Sequence, residues 1–298
     1  MESASRLTSH RGQAREQIVR WALFCCALFG VLAMVSIACF LFATGVPFMA
    51  KVGFGSFFLD ADWRPLGNPP LYGIAGMLLT TILVTLLSTA IGGALGLLTA
   101  MALFKFVPRV FKRPVSFAIS ILSGIPSVIY GLFGMTVIVP FLRDYLSPNG
   151  VGYGILAASI VLSIMILPTM VSFTLDALEA VNPSYYEGAL ALGASREMAC
   201  FKVVMPAAKS GIFASLVLSS GRAMGETMAV IMVIGGRASV PTSLFQSTLT
   251  LTGAIALGAT EYTAEAKNSL IAVGVVLFVL TLLLNAAFMA IKGRDKKC

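Results

Sequence analysis

Thirty consecutive residues between Arg20 and Lys51 carry no charge, and comparable uncharged runs lie between Arg64 and Lys105, Arg113 and Arg143, Asp144 and Asp176, and Asn268 and Lys292. Each exceeds the roughly 20 helical residues that a bilayer core of about 30 Å requires. A sixth apolar stretch, residues 212–234, is long enough but holds Arg222 and Glu226 inside it. Lipid offers no partners for backbone N–H and C=O groups, so such runs cross as helices. The expectation is an all-α polytopic membrane protein with six transmembrane helices. A soluble enzyme is excluded by the charge content, 11% against the roughly 25% usual for soluble domains. The first run is too long for the core of a cleavable signal and follows a polar stretch of twenty residues, so it is read as a permanent span.

With the N-terminus in the cytoplasm, the inner segments 1–20, 105–113, 176–209 and 292–298 hold fifteen Lys and Arg residues, against five outside. That asymmetry fits the positive-inside rule and explains the net charge of +8 without nucleic acid. The expected organisation is a cytoplasmic tail (1–20), one membrane domain (21–291) and a cytoplasmic C-terminal tail (292–298). Residues 238–260 are uncharged but rich in Thr and Ser, and counting them as a span would put the Lys-rich tail outside. They are read as an outer or re-entrant segment. The Gly- and Pro-rich stretch 45–70 is expected to be an irregular outer loop. Cys25, Cys26, Cys39, Cys200 and Cys298 form no C-x-x-C pair and are read as packing residues, with no metal site; His10 lies in the polar tail.

The inner segment 176–209 is longer than a bundle needs. Asn182 and Pro183 suit an N-cap and first turn, and Ser184 and Glu187 have the spacing of a capping box. A short helix is expected here, with Gly193 as its stop or as a close-packing point, and Pro206 as a break before the next span. On spacing alone, Glu187 is as readily a cap as a functional residue. The run Glu187-Gly188-Ala189-Leu190-Ala191-Leu192-Gly193, nine further residues, then Val203-Val204-Met205-Pro206 resembles the E-A-A-x-x-x-G-x9-I-x-L-P loop of ABC importer permeases. Gly188 stands for the usual Ala, and Val203 and Met205 for Ile and Leu. The resemblance implies that this helix is the coupling helix, docking into a cytosolic ATPase subunit through Glu187, Gly188, Ala189, Gly193 and Pro206. No phosphate-binding loop of the G-x-x-x-x-G-K-[ST] kind occurs, so the motor belongs to another polypeptide.

An Arg at mid-membrane costs about 2.5–3.5 kcal/mol on insertion scales, so it is retained with a partner or a purpose. As one continuous helix, 212–234 would put Arg222 about 15 Å from its inner end. Ser215, Ser219, Arg222 and Glu226, spaced 4, 3 and 4, would share a face turned to a cavity. Two readings are open: an intrahelical Arg–Glu pair that neutralises itself for packing, or an anion site in which the guanidinium grips a phosphate or carboxylate and Glu226 masks it when empty. In the third span Pro126 interrupts the helix and frees backbone groups, either as an ordinary kink or as part of a ligand path. Ser123, Ser127 and Tyr130, spaced 0, 4 and 7, would add neutral donors. Thr81, Thr85 and Ser88, followed by Gly92-x-x-x-Gly96, are read as helix packing.

Gly221-Arg222-Ala223-Met224-Gly225-Glu226-Thr227-Met228-Ala229-Val230 closely resembles the R-A-x-G-E-T-M-A-V signature of phosphate-specific ABC permeases, PstC type. Ser123-Gly124-Ile125-Pro126-Ser127-Val128-Ile129-Tyr130-Gly131-Leu132 and Ile164-Met165-Ile166-Leu167-Pro168-Thr169 are similar to it as well. The resemblance spans about residues 71–291. It implies the type I ABC importer permease fold and phosphate import across the bacterial inner membrane, with Arg222 and Glu226 required for passage. It also implies a second permease of the PstA type, two ATPase subunits that bind the ATP and Mg, and an extracytoplasmic phosphate-binding protein. This subunit would need no cofactor and perform no covalent chemistry. Sulfate or molybdate permeases are the nearest alternative. An ion-coupled secondary transporter would not need the inner-loop motif, and a membrane enzyme would need convergent His, Asp or Glu.

Overall fold

The computed structural model describes residues 2–294; Cys298, with the rest of 295–298, and the side chain of His10 lie outside what is described. In order come α1 (Glu2–Val52), α2 (Phe54–Leu59), β1 (Trp63–Arg64), β2 (Leu71–Tyr72) and α3 (Ala75–Met101). Then follow α4 (Arg109–Gly124), α5 (Ser127–Phe133), α6 (Val139–Tyr145), α7 (Ile155–Glu179), α8 (Pro183–Ala191), α9 (Arg196–Met198) and α10 (Met205–Ala207). The chain ends with α11 (Lys209–Gly225), α12 (Met228–Ile234), α13 (Leu251–Glu261) and α14 (Ala264–Arg294). π-helical turns at Ala102–Phe106, Gly134–Ile138 and Ala199–Val204 join neighbouring pieces.

Five helices are long and apolar enough to cross a membrane, and the bent pair Arg196–Ala207 with Lys209–Gly225, taken as one broken span, brings the number to the expected six, although it begins and ends earlier than the expected 212–234. Large apolar side chains stay exposed along them, Phe29 at 75% and Leu283 at 61%, the inverse of a soluble surface.

Lipid tails are as apolar as Leu, so the helices associate by close packing rather than by escape from water. The tightest pair is α3 with α7. A Cβ on Gly92 would lie 2.8 Å from Ile166 Cγ1, and one on Gly96 2.5 Å from Met170 Cγ, so only glycine lets the two backbones approach this closely. Thr81, Thr85 and Ser88 are buried and return their hydroxyls to the carbonyls of Met77, Thr81 and Thr85, which bears out the packing role. α11 packs on both members of this pair and α12 on α7, while α14 lies against α11 and carries α1 on its flank.

Residues 45–70 are more regular than expected. α1 runs through Gly45 and Pro47 to Val52, α2 follows, and β1 pairs antiparallel with β2, Trp63 opposite Tyr72. Aromatic packing accounts for this: Phe57 and Trp63 are buried, and the Trp63 indole N–H donates to the Tyr262 hydroxyl at 3.0 Å. Burial pushes the Tyr262 hydroxyl's pKa up, opposed in part by that Trp63 hydrogen bond.

The expected single helix over 212–234 is two. α11 ends at Gly225, Glu226 is extended (φ −72°, ψ 131°), and α12 restarts at Met228. The third span also breaks, with Ile125 extended between α4 and α5. Residues 238–260 leave α12 as a loop and return as α13, whose first turn touches the middle of the bundle: the Leu251 N–H donates to Thr81 Oγ1 at 3.0 Å.

Candidate functional site

The break at Glu226 gives each of the two buried-depth charges its own helix end. In a continuous helix, Arg followed by Glu four residues on is the poorer orientation. Broken, Arg222 occupies the last turn of α11, where carbonyl dipoles favour a cation, and Glu226 precedes α12, where N–H dipoles favour an anion. The Glu226 carboxylate accepts from the Ala229 N–H at 3.3 Å, and its backbone carbonyl accepts from Thr252 Oγ1 at 3.1 Å. Among the described residues no ion pair joins Arg222 to Glu226. The self-neutralising pair is therefore not what the fold builds.

Arg222 instead extends from the bundle, and its Nη1 donates to Thr169 Oγ1 on α7 at 3.1 Å. It lines an open cavity of about 740 Å³ between α7, α11 and α14, together with Thr169, Phe173, Gly221, Asn285 and Met289. A guanidinium carries five N–H donors, so one bond to Thr169 leaves most of its fork available to a ligand. Sequence reasoning did not assign Thr169 or Asn285 to this site. The signal for Asn285 was present: it is the one amide in the uncharged run between Asn268 and Lys292.

The other expected pathway residues do not join Arg222 in this cavity. Ser219 is fully buried, its hydroxyl 3.9 Å from Met170 Sδ, and Ser215 bonds Thr174 at 2.9 Å; both face α7. The expected common face of Ser215, Ser219, Arg222 and Glu226 is thus split by packing on one side and by the helix break on the other. Ser123, Ser127 and Tyr130 do not form one helix face either, because the break at Ile125 puts Ser123 on α4 and the other two on α5. The Tyr130 hydroxyl donates to the Leu122 carbonyl at 2.6 Å, closing the break rather than facing a ligand. Ser123 is exposed and Ser127 half-buried.

At the far end of the bundle, α8 forms as its residues require, with one correction. The cap is Asn182, whose side chain accepts from the Ser184 N–H at 3.0 Å; Ser184 itself lies inside the first turn, so Ser184 and Glu187 do not form a capping box. Gly193 takes φ +88°, and the Ala194 N–H bonds the Ala189 carbonyl while the Gly193 N–H bonds that of Leu190. This paired closure is a Schellman stop, which favours glycine at the left-handed position. Glu187, Gly188, Ala189 and Leu190 sit on a helix with no buried residue, and Leu192 is 90% exposed. Pro206 lies in the first turn of α10, and the chain turns by 71° just beyond it. α8 packs on the π-helical turn Ala199–Val204, and Lys105 Nζ, from the turn after α3, stands 4.7 Å from the Tyr186 ring centroid; beside it Lys112 of α4 pairs with Glu179 of α7 at 2.9 Å.

Residues 92–294 match the family described as binding-protein-dependent transport system inner membrane component. The probable ABC transporter permease protein YqgH of Bacillus subtilis is 36% identical over 99% of this chain and 97% of its own length. The phosphate transport system permease protein PstC of Mesorhizobium japonicum is 33% identical over 87% of this chain and 84% of its own, and that of Haemophilus influenzae 33% over 86% and 87%. Among solved structures, a bacterial alginate ABC transporter crystallised with its pentasaccharide-bound periplasmic protein covers 93% of this chain and 96% of its own. It has a TM-score of 0.64 at 16% identity. The MetNI methionine ABC transporter in inward-facing form gives 0.57 at 23% identity, over 72% and 91%. At these identities the solved structures establish the fold.

Proposed function

The chain belongs to the binding-protein-dependent transport system inner membrane components, and from that membership we propose that it is the PstC-type permease subunit of an ATP-driven phosphate importer. Permease subunits of this family are not enzymes. The relatives named as phosphate transport permeases support the substrate. The observation that carries the reading is Arg222: a permanent cation in a wide cavity between transmembrane helices, held by one neutral hydroxyl and, among the described residues, without a carboxylate partner. A planar fork of this kind matches the oxygens of a tetrahedral anion.

The cycle follows from the parts. α8, rigidly capped and exposed, docks on a cytosolic ATPase subunit that binds the ATP and Mg. A second permease of the PstA type faces the Arg222 side and completes the path, and a soluble phosphate-binding protein delivers from outside. Both termini, α8 and the turn after α3 lie in the cytoplasm, in line with the distribution of Lys and Arg. Closure of the ATPase pair moves the α8 helices together, the bundles rock, and phosphate meets Arg222 before release inward.

The test is Arg222→Gln in the complete importer reconstituted in liposomes. Phosphate uptake is expected to vanish while the assembled complex and its membrane insertion persist. Uptake close to that of the unaltered importer overturns the anion-site reading.

A further inference from the structure

Lining the same cavity as Arg222 is an amide that the reading above leaves without a task. Asn285 lies on α14 within Leu282-Leu283-Leu284-Asn285-Ala286-Ala287-Phe288, a segment otherwise suited to lipid. It is half-buried and lines the same 740 Å³ cavity as Arg222 and Thr169. Its Oδ1 lies 4.0 Å from where a Cβ on Gly221 would stand, which sets it beside the residue preceding Arg222. Thr281, one turn earlier on the same face of α14, is already engaged: its hydroxyl donates to the Leu277 carbonyl at 2.8 Å and contacts Met224 Sδ at 3.4 Å. Among the described residues the Asn285 side chain takes no hydrogen-bond partner. A side-chain amide facing lipid costs free energy, whereas one lining an open cavity is placed to bond a polar ligand that enters it.

Resting on the phosphate reading, we propose that Asn285 is a second contact for the transported anion, in the same cavity as the guanidinium. The chemistry is complementary. Arg222 only donates hydrogen bonds, whereas phosphate near neutral pH still carries a proton on at least one oxygen and therefore needs an acceptor as well as donors. An amide supplies both: its N–H₂ donates to a bare oxygen and its carbonyl accepts from the P–O–H. It does so without a negative charge that would repel the anion or lock Arg222 into a salt bridge. Thr169 completes the wall, its hydroxyl oxygen accepting from Arg222 and its own proton free to turn toward the ligand.

Asn285→Leu, Asn285→Gln and Asn285→Asp, beside Arg222→Gln, are compared in the reconstituted importer with inorganic phosphate as the probe. Leucine lengthens the apolar run, so insertion is preserved. Loss of a hydrogen bond to a charged ligand should lower the turnover of Asn285→Leu about tenfold or more, with ATP hydrolysed per phosphate rising. Asn285→Gln should restore uptake in part. Asn285→Asp should fall furthest, because the new carboxylate binds Arg222. Asn285→Leu within twofold of the unaltered importer, with Arg222→Gln inactive, overturns this inference alone; both active overturns the anion site itself. Loss of the second permease on co-purification of Asn285→Leu also overturns it, by assigning the amide to the contact between subunits.

Discussion

Two transmembrane helices in this bundle are broken, and they are broken by different means. Between α4 and α5 the interruption is local. Pro126 lacks an N–H and biases Ile125 toward extended backbone, and the Tyr130 hydroxyl reaches back over the gap to the Leu122 carbonyl at 2.6 Å. Between α11 and α12 no proline intervenes. There the backbone carbonyl of Glu226 is held by Thr252, twenty-six residues on in α13, and the carboxylate caps Ala229. The first break is written into a few adjacent residues, whereas the second, beside Gly225, also takes a hydrogen bond from a distant element. The one that depends on tertiary contacts is also the one that carries the charges. A helix interrupted by its partners can be re-formed or re-opened by moving them, which a proline does not permit.

The contrast can be broken most forcefully at Glu226. Glu226→Gln keeps an acceptor for the Ala229 N–H but removes the charge, so α12 should keep its start while phosphate uptake drops by about tenfold. Unaltered uptake would reduce Glu226 to a cap. Thr252→Val removes the hydroxyl that holds the Glu226 carbonyl, leaving a buried acceptor unpaired at a cost of about 1–3 kcal/mol. Faster hydrogen exchange at 226–229 and a several-fold loss of uptake are expected, and unchanged exchange there would show that the break stands without α13. The smallest effect belongs to Tyr130→Phe. It should cost about 1 kcal/mol of stability in detergent unfolding and leave uptake within twofold, because proline alone keeps the first break open. Equal losses of uptake in the Thr252 and Tyr130 variants would erase the distinction.

The same division separates what was legible in the sequence from what was not. Features with local causes were read correctly: the number of spans chiefly from uncharged runs, a packing role for Gly92 and Gly96 though not their partner α7, the start of α8 from Asn182 and Pro183, its end from Gly193, and the break at Pro126. Features with distant causes were missed. Gly225 was a local sign that the helix could stop before Glu226, but the Thr252 hydroxyl that holds the Glu226 carbonyl lies twenty-six residues away and could not be read beside it. Ser219 matched the periodicity of Arg222 yet turns to Met170, because periodicity gives a face but not what packs on it. Asn285 was passed over because, against a background of leucines, its meaning depends on Gly221 and Arg222 from another helix. The aromatic contacts of Phe57, Trp63 and Tyr262 likewise order a stretch that Gly and Pro content alone marks as irregular.

The bond between Trp63 and Tyr262 ties the β1–β2 ribbon to one tip of α13, while the opposite tip grips Glu226. α13 is eleven residues long, about 16 Å of stiff rod. Its two attachments share one rigid body, so the ribbon cannot be shifted along the rod without tugging the peptide that keeps the carboxylate in position. The ribbon and the peptide of Glu226 are thereby moored to the two ends of a single helix.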